Sequence, residues 1–174
     1  MKKIILLIGV IIIFLISNKT TEDLIIPSDS IRIRVVANSN SPYDQLIKKI
    51  VRNNVELEIT SLLEKATTVE EARSIIKESI YDIEKKVNDV LETNNYNLDI
   101  DVNYGYNKFP EKKYKGVIYE EGFYESLVIT LGEGMGDNWW CVLFPPLCLM
   151  ENDEQDIEKI EYKSFIKEII DKYF

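Results

Sequence analysis

The chain has 174 residues, 45% of them hydrophobic and 29% charged, with a formal net charge of −9. That length and apolar content suit one folded domain and exclude a disordered chain. The acidity, with a pI near 4.7, opposes binding to nucleic acid. There is no histidine, which removes Ser-His-Asp and Cys-His pairs, histidine general bases and histidine-ligated zinc. Two cysteines cannot form a four-cysteine zinc site, and no metal or other cofactor is expected.

Met1-Lys2-Lys3 is a short basic start, and Ile4 to Ile16 is an unbroken apolar run. A signal-peptide core takes roughly 7–15 residues and a spanning helix about 20. Residues 1–20 are therefore expected to engage the membrane or the export machinery, as a signal peptide or an uncleaved anchor with Lys3 and Lys19 at the two interfaces. Ser17-Asn18-Lys19-Thr20-Thr21 offers no A-x-A-like cleavage site, and no cysteine follows the run to carry a lipoprotein anchor.

Residues 21–30 are polar, include Pro27 and read as a linker. Ile31-Arg32-Ile33-Arg34-Val35-Val36-Ala37 alternates and is β-branched, which predicts a strand with both arginines on the face opposite Ile31, Ile33 and Val35. Asn38 to Ser41 is a polar turn. Ser41 as N-cap, Pro42 behind it and Asp44 in the first turn predict a helix from Pro42 to about Lys65. Its apolar residues Ile47, Ile50, Val51, Val55, Ile59, Leu62 and Leu63 share one face. Thr68-x-x-Glu71 is a capping box opening a second helix, whose stripe runs through Val69, Ala72, Ile76, Ile80, Ile83, Val87 and Val90. The two helices are expected to form an antiparallel hairpin.

Leu98 to Tyr104 alternates as a strand, Phe109-Pro110 and Lys112 to Lys115 read as an irregular connection, and Val117-Ile118-Tyr119 as a short extended piece. Phe123 to Leu131 is a further strand. This order predicts an α+β domain over residues 31–150, with the helical hairpin packed on a small, mostly antiparallel sheet. Residues 151–174, with Ile157, Ile160, Phe165, Ile169 and Tyr173 at helical spacing, predict a C-terminal amphipathic helix docked on that domain.

The stretch from Gly132 to Cys148 differs from the rest. Gly132, Gly134 and Gly136 alternate, and Asn138, Trp139, Trp140, Cys141, Phe144, Pro145, Pro146 and Cys148 follow. The glycines do not form a phosphate loop, because no lysine-bearing helix follows and Glu133 and Asp137 repel phosphate. In a strand, Trp139 and Trp140 point to opposite faces. Two readings stand beside simple packing of both rings: one ring as a partner anchor, or carbohydrate stacking. Cys141 and Cys148 either pair, closing a loop worth about 2.5 kcal/mol, or remain two buried thiols. Of the many carboxylates, only Glu120, Glu121, Glu125, Glu133 and Asp137 lie near enough to the tryptophans in sequence to be candidates for glycan hydrolysis.

Two blocks resemble the stage II sporulation protein R family. One is Ile31-Arg32-Ile33-Arg34-Val35-Val36-Ala37-Asn38-Ser39-Asn40-Ser41 with Asp44-Gln45 and Val51-Arg52. The other is Tyr119-x-x-Gly122-x-Tyr124-Glu125 followed by Leu131 to Cys148. The family pattern has Asp where Asn40 stands, and the tail after Met150 follows no family pattern. The resemblance implies a non-enzymatic signalling protein of endospore formation. Such a protein is exported into the space between forespore and mother-cell membranes and activates the membrane-bound aspartic protease that processes pro-sigma-E. Asn38, Ser39 and Asp44, together with Gly132, Gly134, Gly136, Asn138, Trp139, Trp140, Phe144, Pro145 and Pro146, are then the expected partner-binding residues. The rival expectation is a module that binds or cleaves cell-wall glycan through Trp139 and Trp140.

Overall fold

The computed structural model describes residues 24–114, 117–148 and 159–174. The expected export segment and the chain from 149 to 158 lie outside them. Seven strands and four helices follow in the order β1 (Leu24–Ile25), β2 (Ile31–Val36), α1 (Pro42–Leu63), α2 (Val69–Glu78), α3 (Ile80–Thr93), β3 (Ile100–Phe109), β4 (Lys112–Tyr114), β5 (Val117–Tyr119), β6 (Gly122–Leu131), β7 (Asn138–Phe144) and α4 (Lys159–Tyr173). The fold is α+β, as the order of predicted elements implied.

The main sheet has the order β3-β6-β2-β7, with β6 and β2 parallel and the two outer pairings antiparallel. A second sheet, β1-β5-β4, covers part of its far side. β2 sits inside the main sheet and alternates as predicted. Ile31, Ile33 and Val35 pack with Ile47, Val51, Val55 and Ile59 of α1 and with Ile76, Ile83 and Val87 of α2 and α3. Each such side chain contributes about 1.5–3 kcal/mol on burial. A smaller cluster on the other face joins Ile26, Val117, Val142, Leu147 and Ile166, so α4 does dock on the domain.

Three features differ from the sequence reading, and a fourth lay beyond it. The second helix is broken at Ser79, whose N–H bonds to the carbonyls of both Ile75 and Ile76 and whose φ/ψ of −95°/0° leaves the helical region. The one-residue break turns the chain without moving the apolar stripe off the core. The 21–30 stretch contributes β1 and the buried Ile26 rather than a free linker. Lys112–Tyr114 forms β4, held by pairing with β5 rather than by any alternation of its own. Arg32 and Arg34 face away from the helices as predicted, yet that face is covered rather than solvated. Arg32 is 2% exposed, and burial lowers the pKa of both arginines.

Candidate functional site

The two blocks singled out in the sequence meet at one end of the main sheet. β2 ends in the Asn38–Ser41 turn, and the β6–β7 connection, Gly132 to Asp137, folds against it. The Met135 and Gly136 amides donate to the carbonyls of Asn38 (3.0 Å) and Ala37 (2.9 Å). The Asn38 side-chain oxygen accepts from the Glu133 amide (3.0 Å), and the Asn40 oxygen from the Asp137 amide (2.7 Å). Lys48 reaches up from α1 to donate to the Asp137 carbonyl at 2.8 Å.

Two of the glycines have definite tasks. Gly132, at φ +56°, takes a left-handed conformation, and a Cβ there would run into the Asn38 side chain. Gly136 lies against the Ser39 backbone, where no side chain fits. Gly132 and Gly136 thus serve the close docking of the two segments.

Asp44 is the centre of the turn. It is 7% exposed and caps nothing itself; its amide is instead capped by Ser41 Oγ at 3.1 Å. One carboxylate oxygen accepts from the Ser39 hydroxyl and from Asn38 Nδ2 (3.0 Å), the other from the Tyr96 hydroxyl at 2.7 Å. The Ser39 and Tyr96 bonds hold its pKa down at about 2. Burial, and then the Asp44 carboxylate, push the Tyr96 hydroxyl above its usual range, so it stays a donor. Tyr96 and Lys48 were not singled out in the sequence, and Asn40 and Gln45 appeared there only within the family block. Tyr96 lies 52 residues from Asp44 and Lys48 lies 89 from Asp137, and no local pattern announces such pairs.

Inward hydrogen bonding leaves an apolar apex. Met135, held between the Asn38 carbonyl and Gly136, is 80% exposed. Leu98 and Tyr43 are also exposed nearby: Leu98 reaches the Gly132 position, and Tyr43 stacks beside Tyr96 with ring centroids 5.7 Å apart.

The remaining predicted residues lie elsewhere. Asn138 opens β7 next to the tip, with its side-chain oxygen buried and unpartnered. Trp139 packs on the helical side, with Arg52 of α1 5.6 Å from its ring. Trp140 points to the other face, 5.0 Å from Phe109. The two rings therefore cannot form one stacking platform. Of the five candidate acids, Glu120 is exposed near Arg32 and Glu121 pairs with Lys108 at 3.1 Å. Glu125 is held by Arg73 and Tyr104, and Glu133 and Asp137 belong to the tip. Phe144 and Pro145 are buried at the far end of β7, about 20 Å from the tip by strand rise. Phe144 packs 5.0 Å from Tyr173 of α4. Pro146 borders a cavity beside α1.

Cys141 and Cys148 are joined in a disulfide with Cα atoms 5.6 Å apart. The bond closes the turn after β7 through the two prolines. Converting both cysteines to alanine is expected to cost about 2.5 kcal/mol in chemical denaturation. A loss below ~0.5 kcal/mol would show that the surrounding packing alone holds the turn.

The fold and its tip define a small α+β domain in which a polar clamp presents an apolar apex. Residues 27–154 match the family model described as Stage II sporulation protein R, and the chain belongs to that family. It is 41% identical over 130 residues to the Stage II sporulation protein R of Bacillus subtilis (strain 168), an alignment covering 75% of this chain and 58% of that relative. The chain thus spans less than two thirds of that protein's length. No solved structure matches it.

Proposed function

We propose that the chain is an exported sporulation signal that activates the membrane-bound protease processing pro-sigma-E, and that it acts by binding the protease's extracytoplasmic face with its tip. The observation that carries this reading is the clamp itself. Asn38, Ser39 and Asp44 with Gly132, Gly134 and Gly136 are engaged in building one surface, and Met135 stands out from it. A ligand switches a receptor only by binding the active state better than the inactive one. A pre-ordered tip serves that discrimination because little conformational entropy is lost on docking. The working location is the space between the forespore and mother-cell membranes, reached through residues 1–20.

The test is co-expression of the full chain, the protease and pro-sigma-E in a bacterium that does not sporulate, with processed sigma-E read by immunoblot. Processing is expected only when the chain is present. Met135→Asp is expected to reduce it about tenfold, the effect of losing roughly 1.4 kcal/mol of apolar contact, with the melting temperature unchanged. Full processing by Met135→Asp would move the contact off the tip. No stimulation by the wild-type chain would overturn the activator reading.

A further inference from the structure

A second feature lies on the sheet face opposite the helices, away from the tip. Arg32 projects there from β2, with its guanidinium 3.3 Å over the Tyr124 ring and 5.5 Å from that of Phe109. Ring faces attract the cation but leave the in-plane donors unfilled. Arg32 Nε and Nη2 are buried without a hydrogen-bond partner, as is Arg34 Nε. Among the described residues neither arginine has a salt bridge, and the exposed Glu120 acts on Arg32 only through space. Arg73 shows the contrast: its Nε donates to both oxygens of the Glu125 carboxylate.

Beside Arg32 is a cavity of about 180 Å³ walled by Phe109, Tyr119 and Trp140, with Lys112 at its mouth. Lys112 Nζ lies 6.0 Å from the Trp140 ring, and Arg34 lies 5.1 Å from the same ring on its sheet side. In a chain of net charge −9, this corner is locally cationic. The volume suits one side-chain-sized body, below the range of a drug-sized ligand. The guanidinium fork matches the two oxygens of a carboxylate. Aromatic walls suit an apolar body and disfavour a strongly hydrated dianion such as phosphate.

We infer that this cavity is a binding site for an apolar-bodied carboxylate, whose oxygens take the empty donors of Arg32 as the guanidinium turns within its aromatic stack. Lys112 steers the anion at the mouth, and Trp140 and Phe109 enclose its body. The carboxylate belongs either to a free acid or to the end of a peptide chain, since both present the same group.

The test is NMR of the full-length chain in a mild detergent, following the Trp140 indole N–H and the Arg32 Nε–H. Benzoate stands for the free acid and N-acetyl-Ala-Phe for a peptide terminus. Benzamide and inorganic phosphate are the controls. Saturable shifts of both signals are expected with at least one of the two carboxylates, and the tighter of them identifies the source. Benzamide and phosphate are expected to bind about tenfold more weakly, because they lack a charged fork partner or carry too costly a hydration shell. Arg32→Met should abolish the preference for benzoate over benzamide. If that variant does not fold, Lys112→Glu at the exposed mouth should weaken carboxylate binding several-fold with the spectrum otherwise intact. Equal binding of benzoate and benzamide, equal binding of phosphate, or no shift with either carboxylate would overturn the assignment.

Discussion

Asp44→Ala is expected to lower stability by about 3–5 kcal/mol, because it removes a charged acceptor from three donors at once and strands the Tyr96 hydroxyl in the interior. Urea unfolding at pH 7 measures it, and a loss below ~1 kcal/mol would show that the turn is held by its backbone bonds alone. The same carboxylate gives the protein an acid limb. Its folded pKa is depressed to about 2 from an ordinary 3.8. The stabilisation is therefore complete above the unfolded value and is lost as pH falls from about 5 through 3.8 toward 2, an effect of about 2 kcal/mol. Asp44→Ala should lose that part of the acid limb. Asp44→Asn keeps the shape but sets an amide donor against one of the existing donors, so it should be destabilised as well.

The clamp explains why so many small and polar residues crowd the two blocks. Asn38 and Asn40 each receive an amide from the β6–β7 connection, and Gly136 admits the turn's backbone. Such pairing fixes the two segments relative to each other whether or not a partner is present. Under the proposed docking through the tip, a destabilising change in the clamp would also weaken activation, by blurring the surface that carries Met135. Met135→Asp separates the two effects, since its side chain is exposed and stabilises little.

Helix α1 was legible from Ser41-Pro42 and its apolar face, the start of α2 from Thr68 and Glu71, and the central strand from its alternation. These signals are local, and local physics decides them. The break at Ser79 was hidden because the apolar spacing continues through it undisturbed. β4 was hidden because two lysines and a tyrosine carry no alternation; β5 supplies the order. The burial of Arg32 could not be read from β2, since the covering rings of Phe109 and Tyr124 come from far along the chain. The site was half legible: the Gly132–Cys148 block stood out by composition and the Ile31–Asp44 block by its family resemblance, but their mutual docking joins residues as far apart as Ala37 and Gly136. Phe144 and Pro145, grouped with the expected contact residues through the family block, are buried, Phe144 against Tyr173 of α4.

The second large effect is expected where α2 meets the sheet. Glu125 projects from β6 toward the helices and is almost fully buried, a costly position for a carboxylate without partners. Arg73 of α2 donates to both its oxygens, from Nε at 2.9 and 2.8 Å, and the Tyr104 hydroxyl of β3 donates at 3.0 Å. Arg73→Ala is expected to cost about 3 kcal/mol, since it leaves a buried charge with one neutral donor. Arg73→Met with Glu125→Leu removes both charges and fills their space, and should recover most of that loss. Full recovery requires Tyr104→Phe as well, because the Tyr104 hydroxyl would otherwise be stranded. A double-mutant cycle in urea measures the coupling. A coupling energy below ~0.5 kcal/mol would mean that packing of Ala72 and Ile76, and not the ion pair, anchors α2 to the domain.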